Sequence, residues 1–381
     1  MNIIILGTAY PLRGGIAHYN ALLYHELSKR HNVAIITFKR QYPSLLFPGK
    51  TQAEAESEQP QAGAPVGWHV PSEPLVDSIN PINWLGVGNK IRLRRPDLLV
   101  MKYWLPFFGP CFGTIARMAK RGTNMKVLYI CDNVVPHEHR PGDAAFTRYA
   151  FGAGDFFIVQ SEAVERDLKK LLPSARYKNV PHPVYNIFGT AVGKSQARRR
   201  LGITDGRVLL FFGYVRPYKG LSVMLEAMKR LPPDMDVKLL VVGEFYDDKE
   251  KYLKQIDALG LQHRVSVVSD YVPNDTVGLY FSAADVVMLP YRSATQSGIA
   301  QIAYNFDKPV IATAVGGLAE VVRDGVTGFV VPPNDPDALA RAVVRYFAEQ
   351  RENEFAANVA VEKRKYSWEA MVRAIEEFMQ T

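Results

Sequence analysis

The sequence predicts an α/β protein built from two doubly wound, parallel-sheet domains, and three observations predict it. Short apolar runs that read as buried strands alternate with helix-length amphipathic segments, the signature of βαβ units. The alternation stops around Pro181–Arg200, and a second series then begins. The chain of 381 residues is long enough for two or three domains.

The elements follow in order. Asn2–Gly7 is a buried strand leading into a Gly-containing loop and a helix from about Ile16 to Arg30. Ile16, Tyr19, Leu22, Leu23 and Leu27 share one face of that helix. Val33–Thr37 is the second strand. Strands Asp97–Lys102, Lys126–Cys131 and Phe156–Gln160 alternate with helices Cys111–Lys120, Ala144–Phe151 and Glu162–Leu172. Gln52–Pro65 has no large apolar residue and reads as a mobile surface loop. After the break come strands Val208–Phe212, Val237–Val242, Val265–Val268, Val286–Leu289 and Pro309–Thr313. Helices Gly220–Leu231, Lys249–Gly260, Thr276–Ser282 and Gly298–Phe306 separate them. Two helices end the chain, Pro336–Glu349 and Trp368–Met379, the second with Ser367 as its N-cap. The expected domains are 1–185 and 206–366 with a linker at 186–205. The C-terminal helix of about 367–381 is open to packing back on the first. Two such domains facing each other place a cleft at the carboxyl ends of both sheets, where ligands bind in open α/β folds.

Composition narrows the classes. Apolar residues make up 48% and charged residues 22%, ordinary for a globular protein. Cys111 and Cys131 form no spaced set, which argues against a disulfide framework or zinc site and fits a reducing, cytoplasmic compartment. No stretch reaches the ~18 apolar residues of a membrane span, and the N-terminus lacks the basic start of a signal peptide. The net charge of +8 lies wholly in residues 1–185. That half is expected to meet something anionic, such as a phospholipid surface or lipid pyrophosphate on the inner face of the membrane. A solvated basic surface is the plainer alternative.

Three segments carry chemistry. In Phe211–Gly220 (FFGYVRPYKG), a strand ends at Gly213, a loop holds Arg216 and Lys219, and a helix follows. Backbone N–H groups, the helix dipole and two cations suit a phosphate there and would stabilise a departing diphosphate. In Tyr291–Gly317, Thr295, Gln296, Ser297 and Gly298 open a helix with groups that can satisfy sugar hydroxyls. After the first strand, Gly14 and Gly15 permit close backbone approach to a ligand. Their spacing does not match G-x-G-x-x-G, which argues against a dinucleotide cofactor.

These segments, with VVGEF at 241–245, YVPNDTVGLYFSAADVVMLP at 271–290 and KPVIATAVGGLAEVVRDGVTGFVVPPND at 308–335, resemble the retaining nucleotide-sugar glycosyltransferases of family 4, which have the GT-B fold. The resemblance runs over nearly the whole chain and is strongest from Val208 to Asn334. It implies an active site between two Rossmann-like domains. Arg216 and Lys219 would bind the donor diphosphate, Gly14 and Gly15 would line its end of the cleft, and Thr295–Gly298 would touch the donor sugar. Tyr271 and Val272 would lie near the base, with Gly213 and Glu244 also on the donor. The family usually carries two glutamates eight positions apart, the second on the ribose. Ala294 and Ile302 occupy those positions here, and Gln301 is the nearest polar substitute.

The first domain would supply the acceptor side, with Asp132 and His137, after the strand ending at Cys131, as candidates beside the reacting carbon. The plainer readings are an Asx-turn for Asp132 and a loop histidine for His137. Trp104–Arg121 combines aromatic and basic residues, which fits a membrane interface or a core-packing loop equally. Asp247 and Asp248 precede a Lys-rich helix, where acidic residues favour the N-terminus, so no metal is expected. The implied reaction is hexosyl transfer with retention from a nucleotide-sugar to a saccharide or lipid-linked acceptor, without cofactor or nucleic acid, in cell-envelope or exopolysaccharide synthesis. The alternatives are a sugar-nucleotide epimerase of the same fold and a non-catalytic nucleotide-sugar binding protein.

Overall fold

The structure, a computed structural model, describes residues 1–43, 52–53, 69–136, 140–203, 206–270 and 272–380. It divides into two compact units, Met1–Pro183 with Ser367–Thr381, and Val184–Tyr366. Apart from residues 52 and 53, the expected surface loop Gln52–Pro65 lies outside the described residues.

The first unit holds a seven-stranded sheet of β1 (Asn2–Leu6), β2 (Asn32–Arg40), β3 (Ser72–Asp77), β4 (Leu98–Tyr103), β5 (Lys126–Cys131), β6 (Phe156–Val159) and β7 (Tyr177–Asn179). The order is β3-β2-β1-β4-β5-β6-β7, and every pairing is parallel. Helices cover both faces of such a sheet, so its central strands are apolar throughout. All six residues of β4, LLVMKY, are buried, and Lys102 is its one charged residue. The C-terminal helix Trp368–Met379 belongs to this unit. Trp368 packs on Tyr19 at 5.0 Å, Phe378 stacks on Phe156 at 4.7 Å, and Glu376 accepts from His31 at 2.9 Å.

The second unit holds β8 (Arg207–Phe212), β9 (Val237–Val242), β10 (Val265–Val268), β11 (Val286–Leu289), β12 (Val310–Thr313) and β13 (Gly328–Val331). Their order is β10-β9-β8-β11-β12-β13, again all parallel. In each sheet the strand order reverses once, between β1 and β4 and between β8 and β11. The carboxyl ends at such a reversal form the crevice of doubly wound folds.

One expectation needs correction, and one pair of open readings is decided. The expected linker at 186–205 is not free where it is described: residues 186–203 lie in the second unit, and Lys194–Arg200 is helical. Buried Asp285 anchors that helix, accepting from Lys194 and Arg198 at 2.7 Å each and from the Val208 N–H at 2.6 Å. The anchor lies far along the chain, so the segment reads locally as a polar tether. The aromatics of Trp104–Arg121 supply core rather than a surface: Phe108 and Phe112 are fully buried, ringed by Phe38, Tyr42 and Trp104. Of the following cations, Arg117 lies on the Tyr149 ring and donates to the Gly113 carbonyl, and Lys120 pairs with Asp155 at 2.8 Å.

Candidate functional site

In the second unit, the reversal point between β8 and β11 gathers the phosphate-binding candidates. β8 ends into Gly213, whose N–H donates to the Val242 carbonyl, and Val215 then pairs with Glu244 through its N–H. The chain passes Arg216, turns once through Pro217–Lys219, and enters helix Leu221–Arg230 at Gly220. Gly220 adopts φ 73°, and a Cβ there would stand 1.9 Å from the Pro290 carbonyl oxygen. Only glycine lets the helix start press against the loop that follows β11.

That packing buries Lys219, leaving it 7% exposed. Its Nζ lies 5.8 Å from the centre of the Tyr291 ring and 3.0 Å from where a Gly213 side chain would begin. Among the described residues no carboxylate pairs with it. Burial, and secondarily the charge of Arg216, push its pKa down to about 7. Arg216 is half-buried, its guanidinium 5.2 Å from the centre of the Tyr246 ring, which itself stacks on Tyr214. A buried cation held beside a second cation is costly unless an anion joins them.

The second loop lies close by. Ser297 caps helix Gly298–Asn305, accepting from the Ala300 N–H at 3.4 Å, and its hydroxyl meets the Tyr291 hydroxyl at the same distance. The Gly316–Gly317 turn presses on this loop. A Cβ on Gly316 would fall 1.7 Å from the Ala294 carbonyl, and the Gly317 N–H donates to the Thr295 carbonyl at 3.0 Å. Thr295, Gln296 and Gly298 are half-buried and Ser297 is buried. Ile302 is 5% exposed and Gln301 1%. The Gln301 Oε1 atom is buried with no hydrogen-bond partner among the described residues. Val272 is half-buried ahead of helix Asn274–Ala283, and Tyr271 lies outside the described residues.

In the first unit, Gly14 precedes helix Gly15–Ser28 with φ 111°, at the carboxyl end of β1. On neighbouring strands the fold assembles a cluster that sequence reading missed. Lys102, 1% exposed in the middle of the sheet, donates to Asp132 at 2.6 Å and to Gln160 at 3.3 Å, with its ammonium 3.3 Å from the centre of the Tyr19 ring. Gln160 in turn donates to the Tyr19 hydroxyl at 3.2 Å. His182 packs edge-on to Tyr19 and donates from Nδ1 to the Pro183 carbonyl. Burial and the charge of Lys102 lower its pKa to about 3, so this histidine stays neutral. Asp132 is thus the half-buried ion-pair partner of a buried lysine, just past the end of β5. A lysine inside an otherwise apolar strand was the available signal. His137 lies outside the described residues.

Comparison with known proteins places these features in a family context. Residues 206–349 match the model described as glycosyl transferases group 1. The chain is 31% identical over 196 residues to D-inositol 3-phosphate glycosyltransferase of Corynebacterium diphtheriae, covering 49% of this chain and 46% of that protein. It is 28% identical over 307 residues to lipopolysaccharide 1,2-N-acetylglucosaminetransferase of Salmonella typhimurium, covering 77% and 75%. The Salmonella protein aside, the chain spans about half the length of the curated relatives it matches. Among solved structures, Anabaena HepE in complex with UDP aligns over 100% of both chains with a TM-score of 0.76 at 19% identity. The fold is therefore GT-B, and the stretch matching the glycosyl transferases group 1 model contains Arg216, Lys219 and the Thr295–Gly298 loop.

Proposed function

We propose that the protein transfers a hexose from a nucleoside-diphosphate sugar to a saccharide or lipid-linked acceptor with retention at the anomeric carbon, as a family 4 enzyme of envelope or exopolysaccharide synthesis. The observation that carries this reading is Lys219, a buried ammonium beside Arg216 with no carboxylate partner among the described residues. A diphosphate supplies the missing charge. As the bond from the anomeric carbon to the diphosphate oxygen breaks, negative charge grows on that oxygen, and the two cations stabilise it more than they stabilise the intact donor. The acceptor hydroxyl bonds to the anomeric carbon on the face being vacated and passes its proton to the leaving phosphate. No protein nucleophile, metal or cofactor takes part.

Solved complexes of HepE contain UDP, UDP with glucose, and UDP-glucose, which makes a uridine donor the first to test. Thermal shifts against UDP, GDP, ADP and their sugars identify the nucleotide, because bound ligand stabilises by mass action. Turnover of that donor only when acceptor glycans or lipids are added supports transfer. Isomerisation of the donor alone would favour an epimerase, and binding without turnover a non-catalytic protein. The basic first half is read as approaching an anionic membrane, from the cytoplasmic side, where a lipid-linked acceptor would lie. No helix among the described residues is long and apolar enough to cross one.

A further inference from the structure

Helix Pro81–Arg94 has two apolar faces, where a surface helix needs one. Its inner face, Val87, Gly88 and Ile91, is buried. It packs so closely on helix Gly109–Lys120 that a Cβ on Gly88 would stand 2.6 Å from Met118. On the other side Ile82 is 82% exposed, Leu85 47% and Leu93 70%, and Ile79 just before the helix is 43% exposed. Residues 82, 85, 89 and 93 fall along one stripe at helical spacing, so the exposed apolar groups form a line rather than scattered points. Isolated surface leucines need no explanation, but an aligned apolar stripe marks a contact surface.

The charges beside this stripe identify its partner. The helix contains no Asp or Glu, and its end carries Lys90, Arg92, Arg94 and Arg95. Arg94 pairs with Glu73 at 2.6 Å, whereas Lys90 and Arg95 are exposed and have no ion pair among the described residues. Arg95 also lines a cavity of about 580 Å³ whose other cations are Lys126 and Arg176, with Phe156 and Phe378 in its wall. A second copy docking through the same stripe would set these cations against their own kind. An acidic surface with an apolar interior satisfies both the stripe and the charges. We propose that helix Pro81–Arg94 docks the first unit on anionic lipid, with Ile82, Leu85 and Leu93 entering the boundary between headgroups and acyl chains and Lys90 and Arg95 meeting lipid phosphates. The proposal gives the membrane contact a surface different from the Trp104–Arg121 stretch, whose aromatics are in the core. It does not depend on the donor chemistry.

Co-sedimentation of the full chain with phosphatidylcholine vesicles, and with vesicles containing added phosphatidylglycerol, tests it at low and high salt. Binding is expected only to the anionic vesicles and weakens with salt. Ile82→Ser/Leu93→Ser should lower binding about tenfold, and Lys90→Glu/Arg95→Glu by at least as much, at roughly fivefold per basic residue near the surface. Arg166→Glu/Lys170→Glu, on another exposed helix of the same unit, should change it little. All these positions are on the surface, so melting temperature and nucleotide-induced thermal shifts should match wild type. Equal binding to neutral vesicles, full binding by the Ile82→Ser/Leu93→Ser variant, or a dimer that this variant disperses in sedimentation equilibrium would each overturn the proposal. Loss of the nucleotide shift alone would count against the donor reading instead.

Discussion

The Lys102 ammonium lies 2.6 Å from the Asp132 carboxylate, with the lysine side chain 2% exposed and the aspartate 14%. The lysine rises from the middle of an apolar strand, and burial lowers its pKa while Asp132 works against that shift. Desolvating two charges is repaid only when they remain together.

Lys102→Met should therefore destabilise the first unit by about 3 kcal/mol, near the lower end for breaking a buried pair. Lys102→Met/Asp132→Asn should recover part of that loss, because no unpaired carboxylate then remains. Urea denaturation of both variants checks this. An unchanged midpoint for the single variant would show that the pair contributes nothing.

The strand–helix alternation of both units was readable because buried parallel strands are continuous apolar runs. The edge strands of the first sheet were not: β3 contains Glu73, Pro74 and Asp77, and β7 is Tyr-Lys-Asn. Helix Pro81–Arg94 was hidden by Gly86 and Gly88 and by leucines that face outward. At the site, Arg216 and Lys219 were legible from the Gly loop around them. The burial of Lys219 was not, since it depends on Tyr291 and on Gly220 meeting Pro290, contacts made between distant segments. At Lys102 the charge inside an apolar strand was legible, but its partners were not, because they come from just past the ends of two other strands.

Lys219 predicts a pH dependence. With its pKa near 7 in the free protein, it is half-protonated at neutral pH. A bound diphosphate favours the charged form and raises that pKa, so binding takes up a proton above pH 7. Affinity should be level below about pH 7. It should then fall by up to about tenfold per unit as pH rises, until the raised pKa of the complex is passed. Lys219→Ala should remove this slope, and both it and Arg216→Ala should weaken binding by roughly 1.5–3 kcal/mol. Calorimetric titration from pH 6 to 9, with ~ one-unit steps across the shifted pKa, measures both effects. A flat wild-type profile, or unchanged affinity in both variants, would remove the phosphate role.

Turnover should survive excess EDTA. Asp247 and Asp248, the acidic pair that follows Glu244 in the sequence, are already engaged. Asp248 caps helix Lys249–Ala258 by accepting from the Glu250 N–H at 3.0 Å, and Asp247 accepts from the Tyr252 hydroxyl at 2.7 Å. Two cations already neutralise the leaving group in this reading, so a divalent ion has no task left there. Loss of activity that magnesium or manganese restores would refute it.

The last prediction concerns the ribose. In the proposed family 4 reading, Ile302 takes the position of a glutamate that would accept from the 2′- and 3′-hydroxyls, and its side chain offers no acceptor. The adjacent Gln301 does, and its buried Oε1 lacks a partner among the described residues. One residue along a helix turns a side chain by about 100°, however, so Gln301 does not point where residue 302 points. If the ribose has no dedicated ligand, 2′-deoxy and ribo forms of the best nucleotide should bind within about tenfold of each other, or 1.4 kcal/mol. Gln301→Leu should then leave nucleotide affinity unchanged. It should also raise folding stability, because an unsatisfied buried acceptor costs about 1–3 kcal/mol and leucine removes it. If Gln301 does reach the ribose, the same substitution weakens the ribo form down to the level of the deoxy form. Titrating both nucleotides into wild type and Gln301→Leu separates these outcomes. A ribo preference beyond tenfold that Gln301→Leu abolishes would replace the undedicated ribose with a glutamine-held one.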